Sequence, residues 1–527
     1  MPAAFICSHK LIRDNPSPSR DEGPGVSLGM RNISVLAVGC AALLGCSQQG
    51  VPEANEAQEH LATDQHAASA GGEKLLDGSF SDWAQGEHGH ADGRWIWVRF
   101  APETRPTQAI QAAPYSTRIR IDADQDARTG LAMEMPRVSD EAIQEAPQGV
   151  DVLIAFSPEN ANGQIGIGTG VTRFEPDGRA NDIGHAAMGV SCLPTYASEQ
   201  YELRIDRLAA SSDIIPESGP IEIVVDQVDA EGETLWSDRF VLQLPERDAQ
   251  KRVIDASMPQ RPADGVRVMS ANVLFSSPLT EPMAFKRVLD AIAPDVILYQ
   301  EWFRTEQDKV ASWIEQYAGT DWALHFPNER AGVAIATRHP ILAQYDEQIQ
   351  LEGNNLSTRV CAALIQTDAG QLLAISVHLK CCGSAGSDED LTRIDQAKAI
   401  NAFVERVHEQ HPDAMVVIGG DYNLVGSRTP LEVMARGLGV QGDDLAPALT
   451  PVLGDSSVVT WVDEKSRFGP GRLDWLLYDG SRSDLVNALM LDTRVLTEGS
   501  LQAMGLERED TMASDHLPLI VDLIRAD

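Results

Sequence analysis

The chain has 527 residues, of which 43% are hydrophobic, and a formal net charge of −36. This length predicts two folded units plus tails, and the hydrophobic content is sufficient for sizeable cores. The acidity excludes a general electrostatic attraction for nucleic acid or anionic lipid, so a phosphate substrate must be bound locally, by a few basic residues or a metal ion.

The first feature along the chain is an export signal. The apolar run from Ile33 to Leu44 follows Arg31, is too short to span a bilayer and has the length of a signal-peptide core. The run leads into Leu-Leu-Gly-Cys46, which resembles the lipobox of bacterial lipoproteins. This resemblance implies cleavage before Cys46 and acylation of that residue, and several acyl chains anchor a protein stably. A plain secretory signal with a chance cysteine is the alternative.

We therefore expect residues 1–45 to be a leader with a lipoprotein signal peptide, whose true start is Met30. The mature protein is expected to be exported and lipid-anchored, at the bacterial outer membrane, facing the periplasm or the cell surface. Residues 46–74 are rich in Ala, Glu, Gln, Gly and His and are predicted to be a flexible tether.

Residues 75–245 are predicted to form an all-β sandwich domain. Short apolar stretches such as RWIWVRF and IEIVVDQV are separated by turns that contain Gly, Pro and Asp. Two patterns in this region, Leu76-Asp77-Gly78 with Asp82-Trp83 and the run IDADQDARTG, resemble sandwich domains related to family-nine carbohydrate-binding modules. The ligand of this domain stays open, since a spacer or docking role is as consistent with the pattern as sugar binding.

Three acidic residues in the second pattern alternate along the chain: Asp122, Asp124 and Asp126. Oxygen donors at every second position can fold around one hard cation, so these residues are candidate calcium ligands. The alternative interpretation is an ordinary acidic turn after a strand.

After a linker predicted at residues 246–264, the pattern changes to alternating strands and helices. Strand-like runs such as VRVMSANVLF, LLAISVHL and MVVIGGDYNLV alternate with helical runs such as MAFKRVLDAIA. This alternation predicts an α/β layered domain over residues 265–527.

Polar residues of catalytic type stand where these strands begin or end. The set consists of Asn272, Glu301, His378, Asp421 with Asn423, Asp474, and Asp515 with His516. Any one of them alone is unremarkable. In this order and spacing they closely resemble the endonuclease/exonuclease/phosphatase family, which implies a DNase I-like fold, a layered β-sandwich flanked by helices.

The resemblance implies a metal centre that holds Mg²⁺ or Mn²⁺. Glu301 offers the hard oxygen ligand that Mg²⁺ prefers. Asn272 would orient that carboxylate or contact the metal's hydration shell, and Asp515 would be a second acidic group near the metal. Such a cation neutralises charge that develops on the phosphate.

The resemblance also implies the roles of the catalytic side chains. His516 is the candidate general base, and Asp474 would hold its imidazole and stabilise the charged form. Asp421 would orient or activate the water, Asn423 would donate a hydrogen bond to a phosphate oxygen, and His378 would bind the phosphate or protonate the leaving group. Whether Asp421 or His516 takes the proton stays open.

Basic residues near these positions are candidates for binding the phosphate. Arg359, in Ser-Thr-Arg, is placed where the family resemblance leads us to expect such an arginine, and Lys380 and Arg393 are further candidates. Members with a histidine at the position of His378 often have a separate carboxylate that orients it, and the sequence does not place that partner.

Export would leave four cysteines in an oxidising compartment: Cys192, Cys361, Cys381 and Cys382. A bridge between Cys361 and Cys381, which lie on consecutive predicted strands, and a vicinal bridge between Cys381 and Cys382 are the two alternatives.

These features predict a metal-dependent hydrolase of phosphodiester bonds, with a nuclease-type activity on extracellular or periplasmic nucleic acid as the leading hypothesis. A phosphatase or a sphingomyelinase-like phospholipid phosphodiesterase is the alternative, since one scaffold serves all these reactions. A non-catalytic surface-binding lipoprotein is the alternative from another class. The expected partners are a phosphate-ester substrate and, through the lipid anchor, a membrane.

Overall fold

The computed structural model describes residues 74–102, 108–133, 148–160, 162–345 and 359–526. These residues all lie in one compact unit, Ala68–Asp527. The predicted leader, the lipidation residue Cys46 and nearly all of the predicted tether lie outside the described residues. None of the described helices is long and apolar enough to cross a membrane.

The part of the chain up to Leu244 is built from antiparallel strands. They are β1 (Gly89–Ala91), β2 (Trp95–Phe100), β3 (Ser116–Asp122), β4 (Leu131–Met133), β5 (Gln148–Val150), β6 (Val152–Phe156), β7 (Thr169–Phe174), β8 (Ala180–Asp182), β9 (Val190–Leu193), β10 (Tyr201–Asp206), β11 (Gly219–Val228) and β12 (Thr234–Leu244), with the short helix α1 (Gly184–Met188) between β8 and β9. One sheet has the order β1-β2-β10-β9, a second has the order β12-β11-β3-β6-β7-β8, and β4 pairs with β5.

The two larger sheets share one hydrophobic core. Alternate residues of a strand point to the same face, and here Ile119 and Ile121 of β3 are buried in one cluster with Leu203 and Ile205 of β10. The prediction of a β-rich N-terminal part, made from the alternation in the sequence, is therefore confirmed.

The part from Val266 onward contains two further six-stranded sheets with helices outside them. Its strands are β13 (Val266–Asn272), β14 (Val296–Gln300), β15 (Ala323–His325), β16 (Ala334–Thr337), β17 (Ile341–Tyr345), β18 (Val360–Thr367), β19 (Gly370–His378), β20 (Met415–Asp421), β21 (Ala446–Pro447), β22 (Asp474–Tyr478), β23 (Ser483–Met490) and β24 (Leu519–Arg525). Its helices are α2 (Pro282–Ile292), α3 (Gln307–Tyr317), α4 (Asp388–Gln410), α5 (Thr429–Ala435) and α6 (Glu498–Met504).

These two sheets pack face to face, in the orders β15-β16-β14-β13-β24-β23 and β17-β18-β19-β20-β22-β21. Val268 and Leu298 of the first sheet share a buried cluster with Ala374 and Val417 of the second. Separate clusters join the outer faces to α2, α3 and α6 on one side and to α4 and α5 on the other. The predicted layered α/β architecture is confirmed.

Strand register brings the predicted polar residues to one edge of these sheets. In the parallel pair β19–β20, His378 is opposite Asp421, and in the antiparallel pair β20–β22, Asp421 is opposite Asp474. Asn272 lies at the end of β13, opposite Gln300, the residue before Glu301. Side chains far apart in sequence therefore meet where the two sheets end.

The β-sandwich part and the α/β part are in direct contact. Arg204 of β10 forms a two-pronged ion pair with Asp455, at 3.1 and 3.0 Å. The Thr195 hydroxyl accepts a hydrogen bond from the backbone N–H of Arg472 at 2.7 Å, two residues before Asp474. The N-terminal sandwich thus braces the segment that leads into β22.

The segment predicted as a linker at 246–264 packs on the α/β part. A 3-10 helix spans Ala249–Arg252, the N–H of Ile254 donates to the carbonyl of Val495 at 2.8 Å, and the N–H of Thr497 donates to the carbonyl of Ile254 at 3.0 Å. These bonds hold the end of the sandwich part against the α/β part.

Candidate active site

A buried histidine–carboxylate pair forms one side of the site. His516 Nδ1 donates to Asp474 Oδ2 at 2.7 Å, and both side chains are buried. The Thr460 hydroxyl accepts hydrogen bonds from the N–H groups of Leu473 and Asp474, at 2.9 and 3.0 Å. The carbonyl of Thr460 accepts from the N–H of Leu517 at 2.8 Å, so this residue holds both partners of the dyad in place. Sequence reasoning missed Thr460, because nothing in its local pattern distinguishes it from any strand threonine.

The dyad histidine is surrounded by carboxylates. Burial lowers the pKa of His516, but the carboxylates of Asp474, Asp421 and Asp515 outweigh it and raise the pKa well above its ordinary value. Its Nε2 lies 4.0 Å from Asp421 Oδ2 and 3.9 Å from Asp515 Oδ1. The imidazole is therefore held in its charged form, with Nε2 facing the centre of the site.

A group of three candidate metal ligands lies beside the dyad. Glu301, His378 and Asp421 each offer one ligand atom, and these atoms all lie within 4.8 Å of one another. Burial raises the pKa of Glu301, although the nearby His516 lowers it. Burial likewise raises the pKa of Asp421 well above its ordinary value, and Asp474 and Glu301 add to the effect. A divalent cation would relieve this crowding of buried negative charge.

Asn272 cross-links the two carboxylates of this group. Its side-chain Nδ2 donates to Glu301 Oε1 at 3.1 Å and to Asp421 Oδ2 at 3.2 Å. Its Oδ1 accepts from the backbone N–H of Leu274 at 3.1 Å. Because its amide oxygen is engaged in this way, Asn272 orients the acidic residues, which is one of the two roles expected for it.

Asp515 lies on the dyad side of the site, outside the group of three. Its Oδ2 accepts from Trp461 Nε1 at 3.0 Å. Its Oδ1 is buried and, within the described residues, accepts no hydrogen bond. Of the predicted metal set, Asn272 lies 3.1 Å from Glu301 Oε1, and His378 and Asp421 join Glu301 in the group of three. The reason is register, because His378 and Asp421 end neighbouring parallel strands.

His378 is buried between acidic and basic neighbours. Burial lowers its pKa well below the ordinary value, and the charges of Arg359 and His516 add to this effect. Arg359 Nη1 lies 3.5 Å from Nδ1, which can only accept from a guanidinium, so the ring proton of the neutral imidazole is on Nε2. Nε2 is 3.5 Å from Asp421 Oδ2 and 3.9 Å from Glu301 Oε1. Asp421 and Glu301 therefore face Nε2, and because a protonated Nε2 cannot bind a metal ion, the candidate metal ligands of the group are these two carboxylates.

The other predicted residues differ in how they are engaged. Asn423 donates one amide hydrogen to the carbonyl of Leu379 at 3.3 Å, and its backbone N–H donates to Asp421 Oδ1 at 2.9 Å. Arg393 is not a phosphate ligand. Its guanidinium is fully buried and donates to the carbonyls of Lys380 and Cys382, at 2.9 and 2.7 Å, and so shapes the loop after β19.

The structure contains neither of the two disulfides considered. No disulfide joins the four cysteines of the described part of the chain. Cys361 is buried, with its thiol 3.4 Å from the carbonyl of His325. The sulfur atoms of Cys381 and Cys382 lie 3.0 Å apart.

A second acidic group lies in the sandwich part. Asp122, Asp124 and Asp151 bring ligand atoms within 4.8 Å of one another. Asp126, which was predicted to belong to this group, instead forms a two-pronged pair with the Arg128 side chain at 2.7 and 2.6 Å. Sequence reasoning missed Asp151, because it follows a different strand and only the pairing of β3 with β6 brings it close.

Burial gives this second group unusual titration. It raises the pKa of Asp122 to about 6, although a hydrogen bond from the N–H of Gln125 lowers it. It also raises the pKa of Asp151. The oxygen-only donor set fits a hard cation such as Ca²⁺.

The comparisons with known proteins agree with the geometry of the C-terminal part. Residues 269–516 match the model of the Endonuclease/Exonuclease/phosphatase family. None of the curated protein sequences compared with the chain matches it. The family match and the confirmed architecture establish a DNase I-like C-terminal part, and the chain is a hydrolase of phosphate esters.

Several solved structures resemble this half of the chain. The D. rerio TDP2 structure with a single-strand DNA product is 15% identical to this chain. The match covers 49% of this chain and 98% of the TDP2 chain, with a TM-score of 0.36. The human nocturnin catalytic domain with bound sulfate is 18% identical, with coverage of 51% and 97% and a TM-score of 0.35. The beta toxin of Staphylococcus aureus is 18% identical, with coverage of 49% and 99% and a TM-score of 0.33.

Proposed function

We propose that this chain, whose residues 269–516 match the endonuclease/exonuclease/phosphatase family model, is a metal-dependent phosphodiesterase of the nuclease type that acts on nucleic acid outside the cytoplasm. The observation that carries the proposal is that the His516–Asp474 dyad lies beside the buried carboxylates of Glu301 and Asp421 and the imidazole of His378. Together they supply a proton-transfer pair and a cation site at one sheet edge, which is what hydrolysis of a phosphodiester requires.

The donor set fits the metal that the family implies. Glu301 and Asp421 are buried carboxylates whose pKa values are raised by burial, and Asn272 orients both of them. They would hold Mg²⁺ or Mn²⁺, which would polarise the phosphate and stabilise its developing charge. Asp515 has a buried oxygen without a hydrogen bond and would add a further acidic group on the other side of His516.

The chain's own residues would divide the remaining work. Asp474 fixes the imidazole of His516, so that Nε2 faces the reacting atoms and, in the charged form, carries a proton that it can donate. Asp421, whose Oδ2 lies 4.0 Å from His516 Nε2, would orient the attacking water between the cation and the imidazole. Neutral His378 would donate a hydrogen bond from Nε2 to a phosphate oxygen. Arg359, beside His378, would bind the phosphate.

The experiment is a substrate panel with purified protein. Single-stranded and double-stranded DNA, RNA, nucleotides, sphingomyelin and inositol phosphates are incubated with Mg²⁺, with Mn²⁺ and with a chelator. Cleavage of nucleic acid that chelation abolishes and Mg²⁺ or Mn²⁺ restores is the expected result. Full activity in excess chelator contradicts the proposed metal dependence, and activity on other substrates alone contradicts the nuclease assignment.

A phospholipid phosphodiesterase is the second candidate, and one observation favours it. Phe275, Leu279, Met283 and Met512 are exposed by 72%, 45%, 50% and 55%, on segments next to Asn272 and Ser514. Exposed apolar residues close to a catalytic site are typical of enzymes that work at an interface. The sphingomyelin arm of the panel tests this candidate.

We also propose a lipid anchor and a calcium site. Acylation of Cys46 would hold the exported enzyme at the outer membrane, and a Cys46→Ala variant should lose lipid labelling and leave the membrane fraction. Unchanged labelling would show that the lipobox is misread. Asp122, Asp124 and Asp151 would bind Ca²⁺ in the sandwich part.

A further inference from the structure

A strained loop at the edge of the site presents an aromatic ring to solvent. Leu274, Phe275 and Ser276 follow one another with φ of 42°, 50° and 64°, in the left-handed region that residues other than glycine rarely adopt. Such backbone strain persists only where surrounding contacts impose it, and it is concentrated at functional sites.

The contacts that impose this conformation come from the site itself. Phe275 N–H donates to Glu301 Oε2 at 3.0 Å, and Ser276 N–H donates to the carbonyl of Glu301 at 3.0 Å. Leu274 N–H donates to Asn272 Oδ1 at 3.1 Å. The candidate metal ligand and the residue that orients it therefore fix the loop.

The loop places Phe275 at the end of a row of rings. Its ring lies 5.8 Å from that of Phe303, which lies 5.5 Å from the imidazole of His378. The guanidinium of Arg359 is 4.9 Å from the Phe303 ring centre. Phe275 is 72% exposed, so the row leads from the buried histidine to an open aromatic face.

The middle ring of this row is held by backbone contacts. A Cβ on Gly332 would lie 2.6 Å from the Phe303 ring, so glycine is required there for the ring to sit as close as it does. The N–H of the preceding residue, Trp302, donates to the Gly332 carbonyl at 2.9 Å. Phe303 is thus a rigid platform rather than a loose surface side chain.

We propose that Phe275 and Phe303 bind a nucleobase of the substrate by stacking, while Arg359 holds the adjacent phosphate. The proposal rests on the proposed function and names the substrate class for the same site. Aromatic rings and guanidinium planes are the surfaces on which unpaired bases stack. With a net charge of −36 the chain has no general attraction for a nucleic-acid backbone, so local contacts such as stacking must contribute to holding the substrate.

The charges around the loop disfavour an anionic lipid surface as the occupant. Glu281 and Glu509 are exposed near the apolar residues Leu279 and Met512. A row of tilted rings that leads to the catalytic histidine also suits one planar group better than a flexible acyl chain. The sequence did not reveal this platform, because Phe275, Phe303 and Arg359 lie on three separate segments.

The test measures binding in a protein that cannot turn over substrate. In the His516→Ala background, calorimetry compares a 2′-deoxynucleoside 5′-monophosphate with deoxyribose 5-phosphate, which has the same phosphate and sugar but no base. Stacking contributes roughly five- to a hundredfold in affinity per base, so we expect the nucleotide to bind tighter by about this ratio. Phe275→Ala should bring the ratio close to one, Phe275→Trp should keep it, and Phe275→Leu, which is apolar but has no ring, should lose it.

Leu279→Ala is the matched control, because it removes an exposed apolar side chain near the loop but outside the row of rings, and it should leave the ratio unchanged. Equal binding of the two ligands by the starting protein would overturn the stacking proposal. A ratio that survives both Phe275→Ala and Phe303→Ala, or one that Phe275→Leu retains, would overturn it too. Hydrolysis of oligonucleotides by the wild-type chain is measured separately. Base discrimination without hydrolysis contradicts only the proposed nuclease function, and hydrolysis without discrimination contradicts only the stacking.

Discussion

The described part of the chain contains two groups of three acidic or imidazole side chains whose ligand atoms lie within 4.8 Å of one another, and the surroundings of the two groups are very different. Glu301, His378 and Asp421 lie at the edge of the α/β part, and Asp122, Asp124 and Asp151 lie in the sandwich part. All three residues of the first group are buried and Asn272 cross-links two of them, whereas Asp124 of the second group is exposed. The second group accepts only backbone and hydroxyl hydrogen bonds from its own turn.

The roles proposed for the two groups differ because their neighbours differ. The first group faces the charged imidazole of His516 at 4.0 Å from Asp421. The second group, as far as the structure describes it, contains only carboxylates. A cation alone organises structure, while a cation beside a group that exchanges protons can drive hydrolysis. The variants below test this division, from the largest expected effect to the smallest.

The largest effect should come from the dyad. His516→Ala should lower kcat by about two to four powers of ten, because a positioned proton-transfer group contributes about that much. Asp474→Asn should lose much of the rate too, and the double variant should be little worse than His516→Ala alone, because the two act as one unit. Steady-state kinetics of the two single variants and the double variant decide this point.

The sandwich part offers a matched control for the dyad. His88 Nδ1 lies 2.5 Å from Asp238 Oδ2 in an exposed pair of the same chemistry. His88→Ala should leave kcat unchanged. Independent, multiplicative losses for His516 and Asp474 would show that Asp474 serves another partner, such as the metal or the strand turn.

The next largest effect should come from the candidate metal ligand. Glu301→Gln removes one charge and keeps the shape, so the fold should survive while Mg²⁺ is bound less tightly. Residues that merely support a metal ligand contribute about ten- to a hundredfold, so the loss of the ligand itself should cost at least about a hundredfold in activity at low Mg²⁺. Titration of activity with Mg²⁺ measures the shift. Asp151→Asn, the equivalent change in the other group, should leave that titration unchanged. An equal effect of both variants would contradict the assignment of the catalytic cation to the Glu301 group.

The comparison also shows what the sequence could and could not predict. That Asn272, His378 and Asp421 would lie near one another could be predicted, because each ends a strand and neighbouring parallel strands carry their ends to one edge of a sheet. Thr460, which holds both partners of the dyad, was not, because its role depends on a loop that crosses between β21 and β22. The sequence showed that the turn after β3 is acidic, but it did not show which aspartates form the candidate cation group. Asp126 forms an ion pair with Arg128, and Asp151 reaches the group because it directly precedes β6, which pairs with β3.

The packing of the two parts could not be predicted either. The sequence shows a change of pattern near residues 246–264, which is typical of a linker. The contacts between the parts, such as the pair of Arg204 with Asp455, join residues 251 positions apart. Local composition carries no record of such a partner.

A smaller effect is expected from calcium. If Asp122, Asp124 and Asp151 bind Ca²⁺, the ion should stabilise the folded chain by about 2.7 kcal/mol at a concentration one hundred times its Kd. Thermal unfolding with and without Ca²⁺ should show a higher Tm with the ion for the wild-type chain and none of this gain for Asp151→Asn. Asp126→Asn should keep the gain, because that carboxylate pairs with Arg128. If only Asp126→Asn abolished the increase in Tm with Ca²⁺, the ligand set predicted from the sequence, which includes Asp126, would be favoured over the set in the structure, which includes Asp151.

The smallest effect is expected on the pH dependence of stability, measured in chelator so that no cation is bound to Asp122, Asp124 and Asp151. The pKa of Asp122 is raised to about 6 from its ordinary value of 3.8. Between these two pH values the folded chain therefore binds more protons than the unfolded chain. Stability then falls as pH rises through this window, because the state that binds more protons is favoured at low pH. Asp122→Asn should remove this contribution, so that the free energy of unfolding of the variant depends less on pH between about 4 and 6 than that of the wild-type chain.

Asp126 provides the control, with the opposite sign. Its hydrogen bonds with Arg128 lower its pKa to about 2, so its contribution is complete above about pH 4 and is lost only as pH falls towards 2. Asp126→Asn should thus leave the slope between pH 4 and 6 unchanged. Denaturant unfolding at several pH values, in chelator, measures all three proteins. Equal slopes for the wild-type chain and Asp122→Asn would mean that Asp122 is charged in the folded state throughout this window, and a structural cation would then be unnecessary to explain how the group tolerates its burial.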